Sequence, residues 1–379
     1  MEEGYNFDDI RPYYDEEVPA AIQSVVNDPY FSVVANYIMP GENLEVLKEK
    51  LLQVKSVDQF QSDFMLKAIR SIVDKTSDGL TFDGFDHLDD KVRHVFIANH
   101  RDIMLDAALL NILLYENNIK TSQITFGSNL MKGNLVINVG KLNKMFRIIR
   151  GGNVRDFYRN SLEVSAYMRH VVTSQDESVW IAQRNGRTKD GIDKTEIGVL
   201  KMFSLSSDKD FVDNLDELHI TPVSISYEYE PCDFYKTAEL YISRQLRYEK
   251  SENEDLNSIL TGIQQKKGKI HLSVTKPISR EELMICDKMD KKEKFDALGA
   301  LIDQRINGHH KLFKTNYIAH DLLMNAENFC DLYDVSEKKA FVDYMRTGLS
   351  NLNLNEDPTE LEKIFLGIYA NQIRYLLNK

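Results

Sequence analysis

The sequence predicts an α/β protein: a mixed sheet flanked by helices, with helical extensions before and after it. Three observations carry this. Strand-like apolar runs alternate with amphipathic stretches from about residue 93 to residue 278, the pattern of a sheet with helices on its faces. Before residue 76 apolar residues recur only at helical spacing. From about Arg280 they do so again. The expected division is a helical N-terminal region over 1–79, an α/β domain over 80–280 and a helical C-terminal region over 281–379. A chain of 379 residues is long enough to bury a core of that size.

In the first region, DFMLKAIRSIVDK (63–75) brings Phe64, Ile69 and Ile72 onto or near one helix face. TSDGLTFDGFDHLDD (76–90), rich in Asp, Gly and Ser, reads as a linker with turns. RHVFIANH (93–100) is a strand of the buried type, and DIMLDAALLNILLYENN (102–118) a helix. SQITFGSN (122–129) and KMFRIIRG (144–151) are strands, followed by the long amphipathic helix VRDFYRNSLEVSAYMRHVVTSQ (154–175). SVWIAQR (178–184) is a strand and KTEIGVLKMFSL (194–205) a helix. ITPVSISYEYE (220–230) is a strand with Pro222 near its start, where a missing donor is tolerated. KIHLSVTKPI (269–278) is the last strand. DKMDKKEKFDALGALIDQRI (287–306) and TELEKIFLGIYANQIRYLL (359–377) typify the helical end.

Composition removes several classes. The net charge of −12 argues against a general nucleic-acid binder, which needs a basic face for phosphates. Cys232, Cys286 and Cys330 are odd in number and far apart, so neither a disulfide framework nor a zinc site is expected, and a reducing, intracellular setting is. The first 17 residues are acidic and lack an apolar core, so no secretory leader is expected. The longest apolar run, Asp106–Tyr115, is about half of what a spanning helix needs. No nucleophile elbow, phosphate loop, dinucleotide fingerprint or zinc-protease motif is present. His309 and His310 are adjacent, a poor metal pair, and are expected at the surface. No metal is expected.

Four stretches remain. In NHRDIMLD (99–106), His100 follows a strand, at the sheet edge where α/β proteins bind ligands. An imidazole there can take a hydroxyl proton if a carboxylate orients it. Asp102 and Asp106 are both candidates, and helical spacing does not choose between them. Asp102 is also a natural helix cap. From Lys141 to Arg159 six basic residues (Lys141, Lys144, Arg147, Arg150, Arg155 and Arg159) face one acid, Asp156, a local charge of +5. AQRNGRTKDG (182–191), again at a strand end, sets Arg184, Arg187 and Lys189 around Gly186. Arginine forks bind phosphate, and glycine lets backbone N–H groups approach it. The fourth stretch is the Pro222 strand.

Taken in order, these stretches resemble the glycerophospholipid acyltransferases that act on glycerol-3-phosphate or 1-acylglycerol-3-phosphate. That family has an Asn-His-Arg-Ser block ending in Asp, here NHRDIMLD. It has a Phe-Ile-x-Arg strand followed by glycine, here MFRIIRGG, then a Glu-Gly-x-Arg-Ser block, here RNGRTKDG. A Val-Pro-Val strand follows, here TPVSISYE. The match covers roughly residues 90 to 280. Two departures stand: His100 and Asp106 have five residues between them where the family has four, and the third block lacks its glutamate, with Arg184 and Asn185 in its place.

The resemblance implies an acyltransferase domain in phospholipid biosynthesis. A fatty acyl group would pass from acyl-CoA or acyl carrier protein to a glycerophosphate hydroxyl, with no other cofactor. It implies His100 as general base with Asp106 as partner and Asp102 as the alternative. It implies substrate binding by Arg101, Arg150, Gly186, Arg187 and Lys189. It also implies contact with a membrane surface, a cytoplasmic location on the inner face of that membrane, and docking of a carrier protein on basic residues. The other reading is a non-catalytic lipid- or carrier-binding protein that keeps the fold.

Overall fold

The computed structural model of the chain describes all residues except 1–5, 40, 132, 150–152, 252, 292, 353–356 and 378–379. Five helices come first: α1 (Val18–Val26), α2 (Phe31–Ile38), α3 (Leu44–Leu52), α4 (Val57–Phe60) and α5 (Leu66–Thr76). Their apolar stripes close around Ile22, Phe31, Leu47 and Phe60.

A single seven-stranded sheet follows, built from β1 (Ser77–Asp83), β2 (Val95–Ala98), β3 (Ser122–Gly127), β4 (Met145–Ile148), β5 (Ser178–Ala182), β6 (Thr221–Tyr227) and β7 (Gly268–Val274). Its order is β1-β7-β6-β2-β5-β3-β4. Every neighbouring pair is parallel except β6 and β7. Parallel pairs need crossovers. These are α6 (Leu105–Glu116), α7 (Asn134–Leu142), α8 (Val154–Thr173), and the pair α9 (Ile197–Phe203) and α10 (Phe211–Asp216). Between β6 and β7 lie α11 (Asp233–Gln245) and α12 (Glu254–Gln264).

Strand residues alternate between two cores. Phe96, Ala98, Trp180, Ala182 and Val223 face α5 and α6. Val95, Ile97, Val179 and Ile181 face α8 and α9. Helix α6 is buried along almost its whole length, which accounts for its nearly unbroken apolar run.

β1 corrects the expectation of a linker over 76–90. Ser77–Asp83 pairs with β7 as an edge strand, with only Ser77 and Leu80 partly covered. Without a buried face it has no apolar alternation to betray it. It also straddles the boundary expected between residues 79 and 80.

After β7 the chain is helical: α13 (Arg280–Asp287), α14 (Glu293–Gly308), α15 (Lys314–Met324), α16 (Val335–Ser350), α17 (Pro358–Ala370) and α18 (Arg374–Leu377). α14 packs against α9 and α13 through Leu298 and Ile302. α15 to α17 form a core of their own around Phe341, Phe365 and Tyr369. Among the described residues no helix is long and apolar enough to cross a membrane.

Candidate active site

Strands β2 and β5 leave the sheet side by side. Ala98 pairs with Ala182, so His100 and Arg184, each two residues further on, emerge at the same height of one edge. β6 runs parallel with Val223 beside Ala98, which brings Tyr227 to that edge as well.

Residues 99–104 form a turn, and α6 begins at Leu105. Asp106 thus sits in the first helical turn, where the helix dipole favours a carboxylate. Its Oδ2 accepts the backbone N–H of Arg101 at 2.6 Å and of Asp102 at 3.0 Å, and lies 2.9 Å from His100 Nδ1. Its Oδ1 accepts the Tyr227 hydroxyl at 2.8 Å. Burial and the Asp106 charge hold that phenol well above its ordinary value, so it stays a donor. An oxygen that accepts two amide N–H groups has no room for a proton of its own. His100 Nδ1 therefore donates to Asp106, and in the neutral ring Nε2 carries the lone pair. The extra residue between His100 and Asp106 is absorbed in the turn.

Asp102 does other work. Its Oδ1 accepts the N–H of Met104 and of Leu105, both at 2.8 Å, and so caps the start of α6. Burial and the Asp106 charge push its carboxyl up.

His100 lines a cavity of about 390 Å³. Its lining includes the apolar side chains of Ile103, Phe126, Leu130 and Leu240, the cations Arg184, Arg187, Lys189 and Lys250, and the carboxylates Asp190 and Asp255. The His100 ring meets Trp180 edge-on at 5.6 Å between centroids. Asn129 donates to Asp255 on α12 at 3.0 Å, tying the loop after β3 to that helix. Arg187 donates to Ser258 at 3.1 Å through Nη2. Its Nη1 and the Nε of Arg184 are buried with no hydrogen-bond partner among the described residues. Lys189 pairs with Glu239, which favours its charge, but burial together with Lys250 and Arg187 brings the ammonium down to about 8. Gly186 has a positive φ of 78° with open space around it, so backbone conformation is what calls for glycine there.

Arg101 lies elsewhere. Expected to bind substrate, it is enclosed instead, its guanidinium with Nη2 on Asp193 at 2.6 Å and Nη1 on Glu230 at 3.2 Å. Lys236 donates to Glu230 at 2.7 Å and to the Arg101 carbonyl at 2.9 Å. Asp193 also accepts Asn99 Nδ2 at 2.9 Å and the Thr188 hydroxyl at 2.7 Å. The network locks the loop after β5 to the turn after β2. It extends to the C-terminal helices, because the Glu230 N–H donates to the Tyr369 hydroxyl at 3.0 Å.

Arg150 lies outside the described residues. The basic run around it does not form one patch: Lys144 is buried against Asp58 at 2.7 Å and Glu177 at 2.8 Å, while Arg155 and Arg159 are exposed on α8. His310 also departs from expectation. It turns inward between Ser226 and Gln372, and burial together with Arg101 lowers it to about 4. Among the described residues no group of three or more His, Cys, Asp or Glu could hold a metal.

Sequence reasoning missed Tyr227, Asp193, Glu230 and Lys250. Tyr227 ends a strand that enters the same edge, a position that could have drawn attention to it. The others are brought in by loops.

No family model matches the chain, and no curated protein matches it. Among solved structures it is similar to the 1-acyl-sn-glycerophosphate (LPA) acyltransferase PlsC from Thermotoga maritima. The two are 13% identical, the match covers 78% of this chain and 94% of that one, and the TM-score is 0.37. At that score the likeness carries no weight for function.

Proposed function

We propose that the chain is an O-acyltransferase that moves a fatty acyl group from a thioester, acyl-CoA or acyl carrier protein, to a hydroxyl of glycerol-3-phosphate or its 1-acyl derivative. The observation that carries this is the His100–Asp106 pair, its Nε2 free of the Asp106 bond, on a cavity lined by both apolar side chains and cations. The order of the four sequence blocks supports the same reading.

In this reaction His100 Nε2 takes the acceptor's hydroxyl proton as its oxygen attacks the thioester carbonyl carbon. The tetrahedral adduct collapses, the C–S bond breaks, and the imidazolium returns the proton to the leaving thiolate. Asp106 offsets the charge of the imidazolium. Arg184, Arg187 and Lys189, which line the cavity, hold the acceptor phosphate. The apolar lining residues Ile103, Phe126, Leu130 and Leu240 take the start of the acyl chain.

The test is transfer of labelled palmitate, from CoA or carrier protein, to glycerol-3-phosphate and to lysophosphatidate offered separately. His100→Ala should lower turnover by about 10²-fold or more. Arg187→Ala should act mainly on the KM of the phosphorylated acceptor, raising it by about 10-fold or more. No product from folded wild type with either acceptor would leave a lipid- or carrier-binding protein.

A further inference from the structure

Helix α8 has 20 residues, about 30 Å at 1.5 Å each, whereas β4 before it has four residues, about 13 Å. The helix outruns the sheet. The overhang is at its N-terminal end, because from Asn153 to Arg159 all residues but the half-buried Asp156 are exposed, and burial begins at Asn160. That end follows β4, which runs parallel to β2 and β5 through β3, so it projects from the same edge as the cavity.

The overhang is apolar where solvent would favour polar groups. Val154 is 87% exposed, Phe157 59% and Tyr158 57%. Spaced i, i+3 and i+4, they share one side. Arg155 and Arg159 flank them; Arg159 lies 3.3 Å from Asp156, and no ion pair of Arg155 is found among the described residues. Two aromatic rings and a valine, with arginines long enough to reach headgroups beside them, form the composition of an interfacial membrane contact.

We propose that the first two turns of α8 dock the protein on an anionic bilayer, with the cavity edge facing the lipid. The proposal rests on the acyltransferase reading only for its purpose, a lipid substrate, and not for its physics. Area separates the bilayer from a protein partner. Three side chains, at most about 150–250 Å² for each ring, fall short of the roughly 800 Å² per side that a stable protein interface needs. A bilayer takes up a small protruding tip whole. The charge fits too: in a chain of net −12 the tip pairs exposed cations with its apolar side chains.

The experiment is co-sedimentation of the full chain with vesicles of phosphatidylcholine alone or mixed with phosphatidylglycerol. Wild type should bind the anionic vesicles more tightly, and high salt should weaken the preference. Phe157→Asp with Tyr158→Asp should lower the partition coefficient at least tenfold, and Arg155→Glu with Arg159→Glu should abolish the preference for anionic lipid. Both pairs should leave the circular dichroism unchanged, and both should keep wild-type turnover on soluble glycerol-3-phosphate. Wild type that ignores vesicles, or variants that bind like it, would overturn the proposal. So would a change of mass in sedimentation velocity on the same substitutions, which would make the tip a protein contact. Vesicle binding without any acyl transfer would retain the docking tip and remove the acyltransferase reading. Transfer to a soluble acceptor without vesicle binding would do the reverse.

Discussion

The backbone N–H of Thr188 donates to the carbonyl oxygen of His100 at 2.7 Å. The loop that carries Arg184, Arg187 and Lys189 is thereby fastened to the residue that carries the imidazole. His100 and these cations are held in one geometry because Asn99, Arg101, Thr188 and Asp193 join the two segments.

The roles of the two aspartates separate experimentally. Asp106→Asn removes the carboxylate that fixes the tautomer of His100, and turnover should fall by about 10³–10⁴-fold. Asp102→Asn keeps an oxygen for the cap. It should change turnover by less than about tenfold and, because burial raises this carboxyl, should not lower stability at neutral pH. Steady-state transfer rates and urea unfolding of the two variants check this. Equal losses of turnover would refute the assignment.

Arg101→Met removes the buried guanidinium that Asp193 and Glu230 share and leaves Glu230 with Lys236 alone. The variant should lose about 3–5 kcal/mol in urea unfolding. Burial pushes the Asp193 carboxyl up, but Arg101, His310, Thr188 and Asn99 together bring it below the usual carboxylate range. A carboxyl held low contributes stability that is present above its unfolded value, about 4, and is lost as pH falls through the folded value. Acid unfolding of Arg101→Met should therefore begin at higher pH than that of wild type.

Asp233 has the opposite sign. Its carboxylate accepts the hydroxyls of Tyr369 at 2.6 Å and Tyr344 at 2.8 Å, yet burial pushes it up from 3.8 to about 6. A raised carboxyl contributes stability that is fully present below its unfolded value and is lost as pH rises through the folded one. Relative to wild type, Asp233→Asn should gain stability between about pH 4 and about pH 6 and stay level above. Unfolding curves across that range decide it; a constant difference would show that the group does not titrate there.

Gly262 on α12 packs against Asp102: a Cβ at that position would lie 2.1 Å from Asp102 Oδ2. Gly262→Ala should cost about 1–3 kcal/mol. Turnover should fall as well, because the cap it displaces sets the first turn of α6 and with it Asp106. An alanine variant with wild-type stability would mean that the two segments move apart freely.

The sequence by itself determined much. Apolar periodicity gave six of the seven strands, because buried strands must be apolar throughout and crossover helices must be amphipathic. Spacing brought His100 and Arg184 to strand ends. It left Asp102 and Asp106 level, since the turn between β2 and α6 has no helical period to count along. Tertiary structure decided that choice through three N–H groups that meet at one oxygen of Asp106. It also placed Arg101 in the interior, which its charge alone does not foretell: a cation can be buried only if distant carboxylates come to it, and Asp193 and Glu230 arrive from two loops far along the chain. β1 shows the same limit from the other side, since an exposed edge strand is held by backbone pairing with β7, which leaves little trace in side chains. Local pattern records which surfaces are covered; which groups cover them is settled only when the chain closes.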